Sequence, residues 1–145
     1  MATINVYLSF DGNTEVAFNF YKDAFGTEFI DGGIKRFRDM PDNDKIAGGD
    51  LDKVMHVSLP VGKGNTLMGN DILESWGQKS IPGNNVSISI NADSKEEADR
   101  LFNALSNGGN ITMPLADTFW GAYFGMFTDR FGINWMVNFD YNQKK

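Results

Sequence analysis

Residues 4–29, INVYLSFDGNTEVAFNFYKDAFGTEF, decide the fold, because their hydrophobic pattern changes from one period to another at a turn. In the first seven residues apolar and polar side chains alternate, which is typical of a β-strand with one packed face. The apolar residues that follow recur at spacings of three and four, which predicts a helix. This helix should be capped by Asn13, run through Phe25 and end at Gly26.

A second copy of the same pattern occurs later in the chain. Residues 85–109, NVSISINADSKEEADRLFNALSNGG, alternate first and then change to helical spacing. Ser94 and Glu97 form a capping box, in which the Glu97 carboxylate is expected to bind the Ser94 amide. Gly108 and Gly109 should end this helix. The apolar stripes of the two helices superpose at a constant offset: Ala17, Phe20, Tyr21 and Ala24 match Ala98, Leu101, Phe102 and Leu105.

Each predicted helix is followed by three strand-like segments, which turn residues separate. They lie at about 27–37, 53–60 and 64–70 in the first half, and at about 109–116, 118–128 and 132–139 in the second. The sequence therefore predicts two βαβββ modules, residues 1–70 and 85–140, joined by a linker over 71–84 within one domain of residues 1–145.

Two segments depart from a simple repeat. Residues 38–52, RDMPDNDKIAGGDLD, have no counterpart in the second half and predict a polar, mobile loop. Residues 118–128, TFWGAYFGMFT, are apolar on both faces of the predicted strand. Such a strand usually lies at the centre of a sheet, with other side chains packed on each of its faces.

Composition excludes several classes of protein. The chain has 145 residues, of which 41% are hydrophobic, enough for one globular core. A net charge of −6 argues against nucleic acid and anionic lipid as partners. Zero cysteines exclude disulfides and thiolate metal sites. No apolar run is long enough to span a membrane, and the N-terminal sequence does not resemble a secretion signal, so a cytoplasmic protein is expected.

Four stretches carry a resemblance to a known superfamily. They are YLSFDGNTEVAFNFYKDAFGTEF at 7–29, MHVSL at 55–59, LMGND at 67–71 and FWGAYFGMFTDRFGINWMVN at 119–138. With the paired βαβββ modules, they resemble the PhnB-like branch of the vicinal oxygen chelate superfamily, which includes glyoxalase I, bleomycin-resistance proteins and extradiol dioxygenases. The resemblance implies an α+β fold with paired curved sheets around a cleft, and a homodimer.

Some members of this branch carry a label as demethylubiquinone methyltransferases. In this sequence no glycine-rich nucleotide-binding turn follows the first predicted strand. The sequence therefore does not support a methyltransferase.

Metal enzymes of the superfamily place one ligand on each of four strands that line the cleft. The resemblance maps these four positions onto Asn5, Met68, Asn85 and Met136. None of the four is a carboxylate or an imidazole, which are the ligands that divalent ions prefer. The sequence therefore predicts a cleft that holds no metal ion and no other cofactor.

A small organic ligand is the predicted occupant of the cleft. Methionine and aromatic walls with a few amides suit a moderately apolar molecule. Asp71 is expected at the rim, because it directly follows a strand that faces the cleft. The predicted ligand-binding residues are Asn5, Tyr7, Met68, Asp71, Asn85, Trp120, Phe124 and Met136.

His56 is the one histidine of the chain. Strand alternation predicts that it shares the cleft face with Ser58. It is interpreted either as a general base or as a partly exposed sheet residue held by its neighbours. Two functions therefore stay open: a protein that binds or sequesters a small molecule, and an enzyme that uses either a metal ion or His56.

Overall fold

A computed structural model describes residues 2–142 of the chain. One compact unit ends at Ile81 and a second begins at Pro82. The first contains β1 (Val6–Phe10), α1 (Thr14–Phe25), β2 (Lys35–Arg36), β3 (Val54–Gly62) and β4 (Asn65–Asp71). The second contains β5 (Ile88–Asn91), α2 (Lys95–Ser106), β6 (Asn110–Asp117), β7 (Ala122–Thr128) and β8 (Asn134–Asp140). Each unit is a βαβββ module, which confirms the predicted α+β class.

The two sheets have the same strand order, which is β1-β4-β3-β2 in the first and β5-β8-β7-β6 in the second. In each sheet the strand before the helix pairs in parallel with the last strand of the module. The remaining neighbours are antiparallel. The internal repeat of the sequence is therefore a repeat of topology.

Helix α1 begins and ends where the sequence predicts. Asn13 precedes it, but its side chain does not form the predicted capping hydrogen bond, and the Thr14 amide donates to Asp71. Gly26 ends the helix in the left-handed region at φ 69°. Ala17, Phe18 and Tyr21 are fully buried against the sheet, whereas Phe20, expected on this stripe, is only half-buried. The helix therefore presents Phe18 to the sheet in addition to most of the predicted stripe.

Helix α2 has the predicted cap with one difference. The Ser94 hydroxyl accepts a hydrogen bond from the Glu97 amide at 3.0 Å. The Glu97 carboxylate binds the Asp93 amide at 2.9 Å instead of the expected Ser94 amide. Both hydrogen bonds satisfy groups at the helix end. The buried stripe is as predicted: Ala98, Leu101, Phe102 and Leu105.

The segment over 38–52 contains neither α-helix nor strand, in agreement with the predicted polar loop, whereas the strand predicted over 27–37 is reduced to the two residues of β2. The chain forms 3-10 turns at Phe37–Asp39, Asn43–Lys45 and Gly48–Asp50. Phe37 and Ile46 are buried with Leu73 in a small cluster, which anchors the segment. A few apolar residues at irregular spacing give no periodic signal in the sequence.

The strand predicted over 118–128 is also wrong in its first part. Residues 118–121 form a turn, and β7 begins only at Ala122. The Thr118 amide donates to the Ala122 carbonyl at 2.8 Å, and Gly121 has φ 87°, which favours glycine. Phe119 is consequently 98% exposed instead of buried within a sheet.

Between residues 2 and 142, none of the helices has the length and apolar character that crossing a bilayer requires.

Candidate functional site

Each sheet has one face covered by its helix and an opposite face, which we call the open face. In the first unit the open face carries a cross-strand row of three residues. Tyr7 on β1 pairs with Met68 on β4, and Met68 pairs with Ser58 on β3. Residues directly opposite on paired strands point to the same face, so these three side chains are neighbours. The predicted ligand-binding residues Tyr7 and Met68 are therefore brought together.

His56 lies next to this row and is held on two sides. Its Nε2 is 2.9 Å from the hydroxyl oxygen of the buried Ser58, which is a well-formed hydrogen bond. Its Nδ1 is 3.4 Å from the Tyr7 hydroxyl, a much longer contact. The Tyr7 and His56 rings lie 5.9 Å apart. Ser58 thus fixes the imidazole, while the Tyr7 hydroxyl is only loosely bound to it.

The surroundings of Tyr7 change the acidity of its phenol. Partial burial raises the pKa of Tyr7, because loss of water disfavours the phenolate. At neutral pH the side chain is therefore a phenol that can donate a hydrogen bond from the open face.

The amide on the same face is Asn70, which the sequence did not select. Its carbonyl oxygen accepts a hydrogen bond from Ser9 at 2.8 Å. Asn5, which was selected, lies before β1 and is exposed. The register of β1 and β4 places Ser9 directly opposite Asn70.

In the second unit the open face carries methionine. Met136 on β8 pairs with Met126 on β7 and with Ser89 on β5. Met126 pairs in turn with Met113 on β6. Phe124, two residues from Met126 on the same strand, shares this face. The predicted residues Met136 and Phe124 therefore belong to one surface of thioether and aromatic side chains. The strand register adds Met126 and Met113 to this surface, although they are distant from Met136 in sequence.

The other two predicted residues of this half lie off the strands. Trp120 is in the turn before β7, with its ring 6.1 Å from that of Phe124. Asn85 lies before β5 and is exposed. Trp120 borders the open face, whereas Asn85 is not on a strand of the sheet.

Asp71 does not lie at a rim, contrary to the sequence expectation. It is 2% exposed and points to the helix side of β4. Its Oδ1 accepts hydrogen bonds from the Thr14 amide at 3.1 Å and the Thr14 hydroxyl at 2.6 Å, and its Oδ2 accepts one from the Val54 amide at 2.8 Å. Both carboxylate oxygens are committed to holding α1 and β3, so we remove Asp71 from the candidate site.

A shallow concavity of about 500 Å³ lies in the second unit beside Asn134. The Asn134 side-chain amide donates to the Gly83 carbonyl at 2.8 Å and to the Val86 carbonyl at 3.1 Å, and its carbonyl accepts from Thr128. These bonds tie the connecting segment to the sheet. The Asn134 side chain therefore has a structural role.

The four positions that the resemblance assigns to metal ligands carry donors that do not suit a divalent ion. Met68 and Met136 offer neutral thioethers, and Asn5 and Asn85 offer neutral amides. In the part of the chain that the structure describes, no group of three His, Cys, Asp or Glu side chains is placed to hold an ion. The donor chemistry therefore gives no basis for a catalytic step through a metal.

Comparison with known proteins places this geometry in a family. The model of the family described as 3-demethylubiquinone-9 3-methyltransferase matches residues 2–138. The chain belongs to this family. It is 30% identical over 144 residues to protein YjdN of Escherichia coli K12, and the match covers 93% of each chain.

Solved structures agree with the family assignment. The protein PA1353 structure from Pseudomonas aeruginosa is 45% identical, covers 97% of this chain and 98% of its own, and has a TM-score of 0.82. A Bacillus cereus structure named a putative 3-demethylubiquinone-9 3-methyltransferase, PhnB protein, is 26% identical, covers 95% and 99%, and has a TM-score of 0.75. More distant glyoxalase/bleomycin resistance protein/dioxygenase structures share the fold. The predicted resemblance to the PhnB-like family is confirmed, and its fold is the one that the glyoxalase/bleomycin resistance protein/dioxygenase structures have.

Proposed function

We propose that this protein binds a small, moderately apolar organic molecule at the open faces of its sheets, without a metal ion or other cofactor. The observation that carries the proposal is the arrangement on the first sheet, where a phenol, an imidazole and a thioether are adjacent and accessible. An apolar body packs on Met68, while polar groups of the ligand bind Tyr7 and His56. Pockets of this mixed chemistry are typical of small-molecule sites.

Binding, rather than methyl transfer, is proposed although the family description names a methyltransferase. The connection between β1 and α1 is Asp11–Asn13, which contains a single glycine. The first amide of α1, that of Thr14, already donates to the buried Asp71 carboxylate. A helix N-terminus with such a partner is a poor place for the phosphate or carboxylate group of a nucleotide cofactor.

The proposal is tested by nuclear magnetic resonance on protein labelled at the methionine methyl groups. The seven methionines of the chain report on different places. A panel of small aromatic alcohols, amides and carboxylates is added one compound at a time. We expect saturable shifts of Met68, of Met136, or of both, because their thioethers lie on the open faces.

Met40 and Met55 are internal controls, since both pack in the cluster around Phe37. Their signals should not move with those of Met68 or Met136. A Met68→Lys variant should keep its fold and lose the ligand-induced shift of the His56 ring signals, which report on the same face without the Met68 methyl group. If no compound in the panel perturbs Met68 or Met136, the binding proposal is wrong.

A second candidate function is an enzyme in which His56 acts as a general base. The observation in its favour is the hydrogen bond between His56 and Ser58, which orients the imidazole and leaves its other nitrogen towards Tyr7. Incubation with small carbonyl compounds in D₂O tests for exchange of a carbon-bound proton. Protein-dependent exchange that His56→Gln abolishes supports the enzyme, and exchange that this variant retains excludes His56 as the base.

We further propose that the two modules act as one domain of residues 1–145, in a cytoplasmic homodimer. Support for the dimer comes from the exposed aromatic pair Phe119 and Trp120, whose rings lie 5.1 Å apart at the turn before β7. Contiguous exposed apolar groups often mark an interface. Cell fractionation tests the location.

A further inference from the structure

The open face of the first sheet carries a positive charge, whereas the chain as a whole is negatively charged. The chain carries 19 acidic against 13 basic residues. Lys35 on β2 pairs with His56 on β3 and so stands beside it on this face. The other residues that strand register and alternation assign to this face are neutral or imidazole: Tyr7, Ser9, His56, Ser58, Pro60, Thr66, Met68 and Asn70.

The Lys35 ammonium has no partner within residues 2–142. The neighbouring Arg36 forms an ion pair with Glu15 at 3.0 Å, and Lys53 forms one with Asp50 at 3.0 Å. Lys35 is exposed and is not found in any ion pair of the described chain. A cation is therefore available beside the polar groups of the open face.

The hydrogen-bonding groups nearby leave their outer sides available to a ligand. Ser58 holds the inner nitrogen of His56, so the outer nitrogen and the Tyr7 hydroxyl share only the long contact of 3.4 Å. A ligand atom can replace this weak contact at little cost. Partial burial raises the pKa of Tyr7, which keeps the phenol protonated and able to donate.

We infer that the first sheet recognises a carboxylate, through Lys35, Tyr7 and His56, on a ligand whose apolar part packs against Met68. The inference rests on the proposed binding function and specifies its ligand class. A carboxylate accepts hydrogen bonds from a phenol and an imidazole and balances the charge of Lys35. The absence of acidic residues from these strand faces removes the repulsion that would oppose an anion.

The experiment compares isosteric pairs that differ in charge: benzoate with benzamide, and phenylacetate with phenylacetamide. Each compound is titrated at low ionic strength into protein labelled at methionine methyl groups and at the single histidine. We expect each carboxylate to bind roughly 3–5-fold more tightly than its amide, the effect of one exposed ion pair. The signals of both Met68 and His56 should shift.

Lys35→Gln should abolish this preference for the carboxylate. The matched control Lys79→Gln removes the same charge from an exposed residue of the connecting segment and should retain it. Tyr7→Phe should weaken carboxylate binding several-fold through loss of one donor, independently of how the lysine variant behaves. Unfolding curves of all three variants show that the fold is intact.

The outcomes separate this inference from the proposed function. If amides and carboxylates shift Met68 with equal affinity, the carboxylate preference is overturned while small-molecule binding stands. If Lys79→Gln reduces the preference as much as Lys35→Gln, the effect is one of general charge and the assigned site is wrong. If no compound shifts Met68, the site on the first sheet fails together with the inference.

Discussion

Substitution of Asp71 is expected to have a large effect on stability, because its buried carboxylate accepts hydrogen bonds from three donor groups. Thr14 donates to it through both its amide and its hydroxyl, and Val54 donates through its amide. Asp71→Asn leaves a single acceptor oxygen, so at least one buried donor loses its partner. We expect the free energy of unfolding to fall by about 2–4 kcal/mol, as measured by urea denaturation.

The control for this variant is Asp42→Asn in an exposed part of the 3-10 segment. It should change the free energy of unfolding by less than about 0.5 kcal/mol. A loss below about 1 kcal/mol for Asp71→Asn would show that its hydrogen bonds to α1 and β3 are not important for stability.

Single residues also show where sequence reasoning reached its limit. Alternation placed Met68 and His56 correctly on the open face, because each lies within a regular strand. The same reasoning assigned Asp71 to a rim, since nothing in the sequence indicates that α1 begins directly beside it. Lys35 was missed because it lies in a strand of only two residues, whose register with His56 appears only in the structure.

At the scale of elements, the contact of α1 with β4 depends on the absence of a side chain at Gly69. A Cβ built there would lie 2.6 Å from the Phe18 ring and 2.8 Å from the Leu8 carbonyl oxygen. Gly69→Ala should therefore push the helix from the sheet and destabilise the protein by about 1–3 kcal/mol. Thermal and urea unfolding measure this loss.

Gly49→Ala is the matched substitution for that test. Its Cβ would meet nothing within 4 Å, and its backbone is not in the left-handed region. Its stability should stay within about 0.5 kcal/mol of the parent protein. Equal stability of the two variants would mean that the helix can shift over the sheet without cost.

The contact of α2 with β7 gives a prediction for alkaline pH. Tyr123 donates to the Asp99 carboxylate at 2.5 Å, and this hydrogen bond raises the pKa of Tyr123 to about 12. Because the pKa in the folded state is above the ordinary value of 10.0, the stabilisation is complete below pH 10. It is lost as the pH rises to about 12.

Tyr123→Phe should therefore lower the free energy of unfolding by about 1.5 kcal/mol at neutral pH. It should also reduce the decline in stability between pH 10 and about 12, the range set by the two pKa values. Tyr141→Phe, which removes a phenol bonded to Asp117 at an exposed position, should have a smaller effect on stability. An unchanged decline in Tyr123→Phe would contradict the assigned hydrogen bond.

Elements differ in how well their sequences predict them. The helices were predicted to the residue at most ends, because caps, glycines and a 3.6-residue period agree there. The 3-10 turns over 38–52 were not predicted, since two of the anchoring residues, Phe37 and Leu73, lie outside the segment and meet only in the folded chain. In residues 118–128 a continuous apolar run concealed the turn, although Gly121 was a signal for it.

At the scale of the whole molecule, the repeat predicted the succession of helices and strands along both modules, whereas the state of association depends on exposed surfaces. Phe119 and Trp120 would be costly to leave in water, and aromatic side chains often dominate interfaces. We expect a mass of about 32 kDa by light scattering, twice the 16.1 kDa of one chain.

Phe119→Ser should weaken this dimer about 30-fold, because loss of an aromatic residue central to an interface costs about 2 kcal/mol. Sedimentation equilibrium measures the change in the dissociation constant. Ile81→Ser, which replaces an apolar side chain that is 81% exposed in the connecting segment, should leave association unchanged. A parent protein that sediments as a monomer would refute the dimer. If the two variants change the dissociation constant equally, a general loss of exposed apolar surface explains both results. The interface would then not be at the turn before β7.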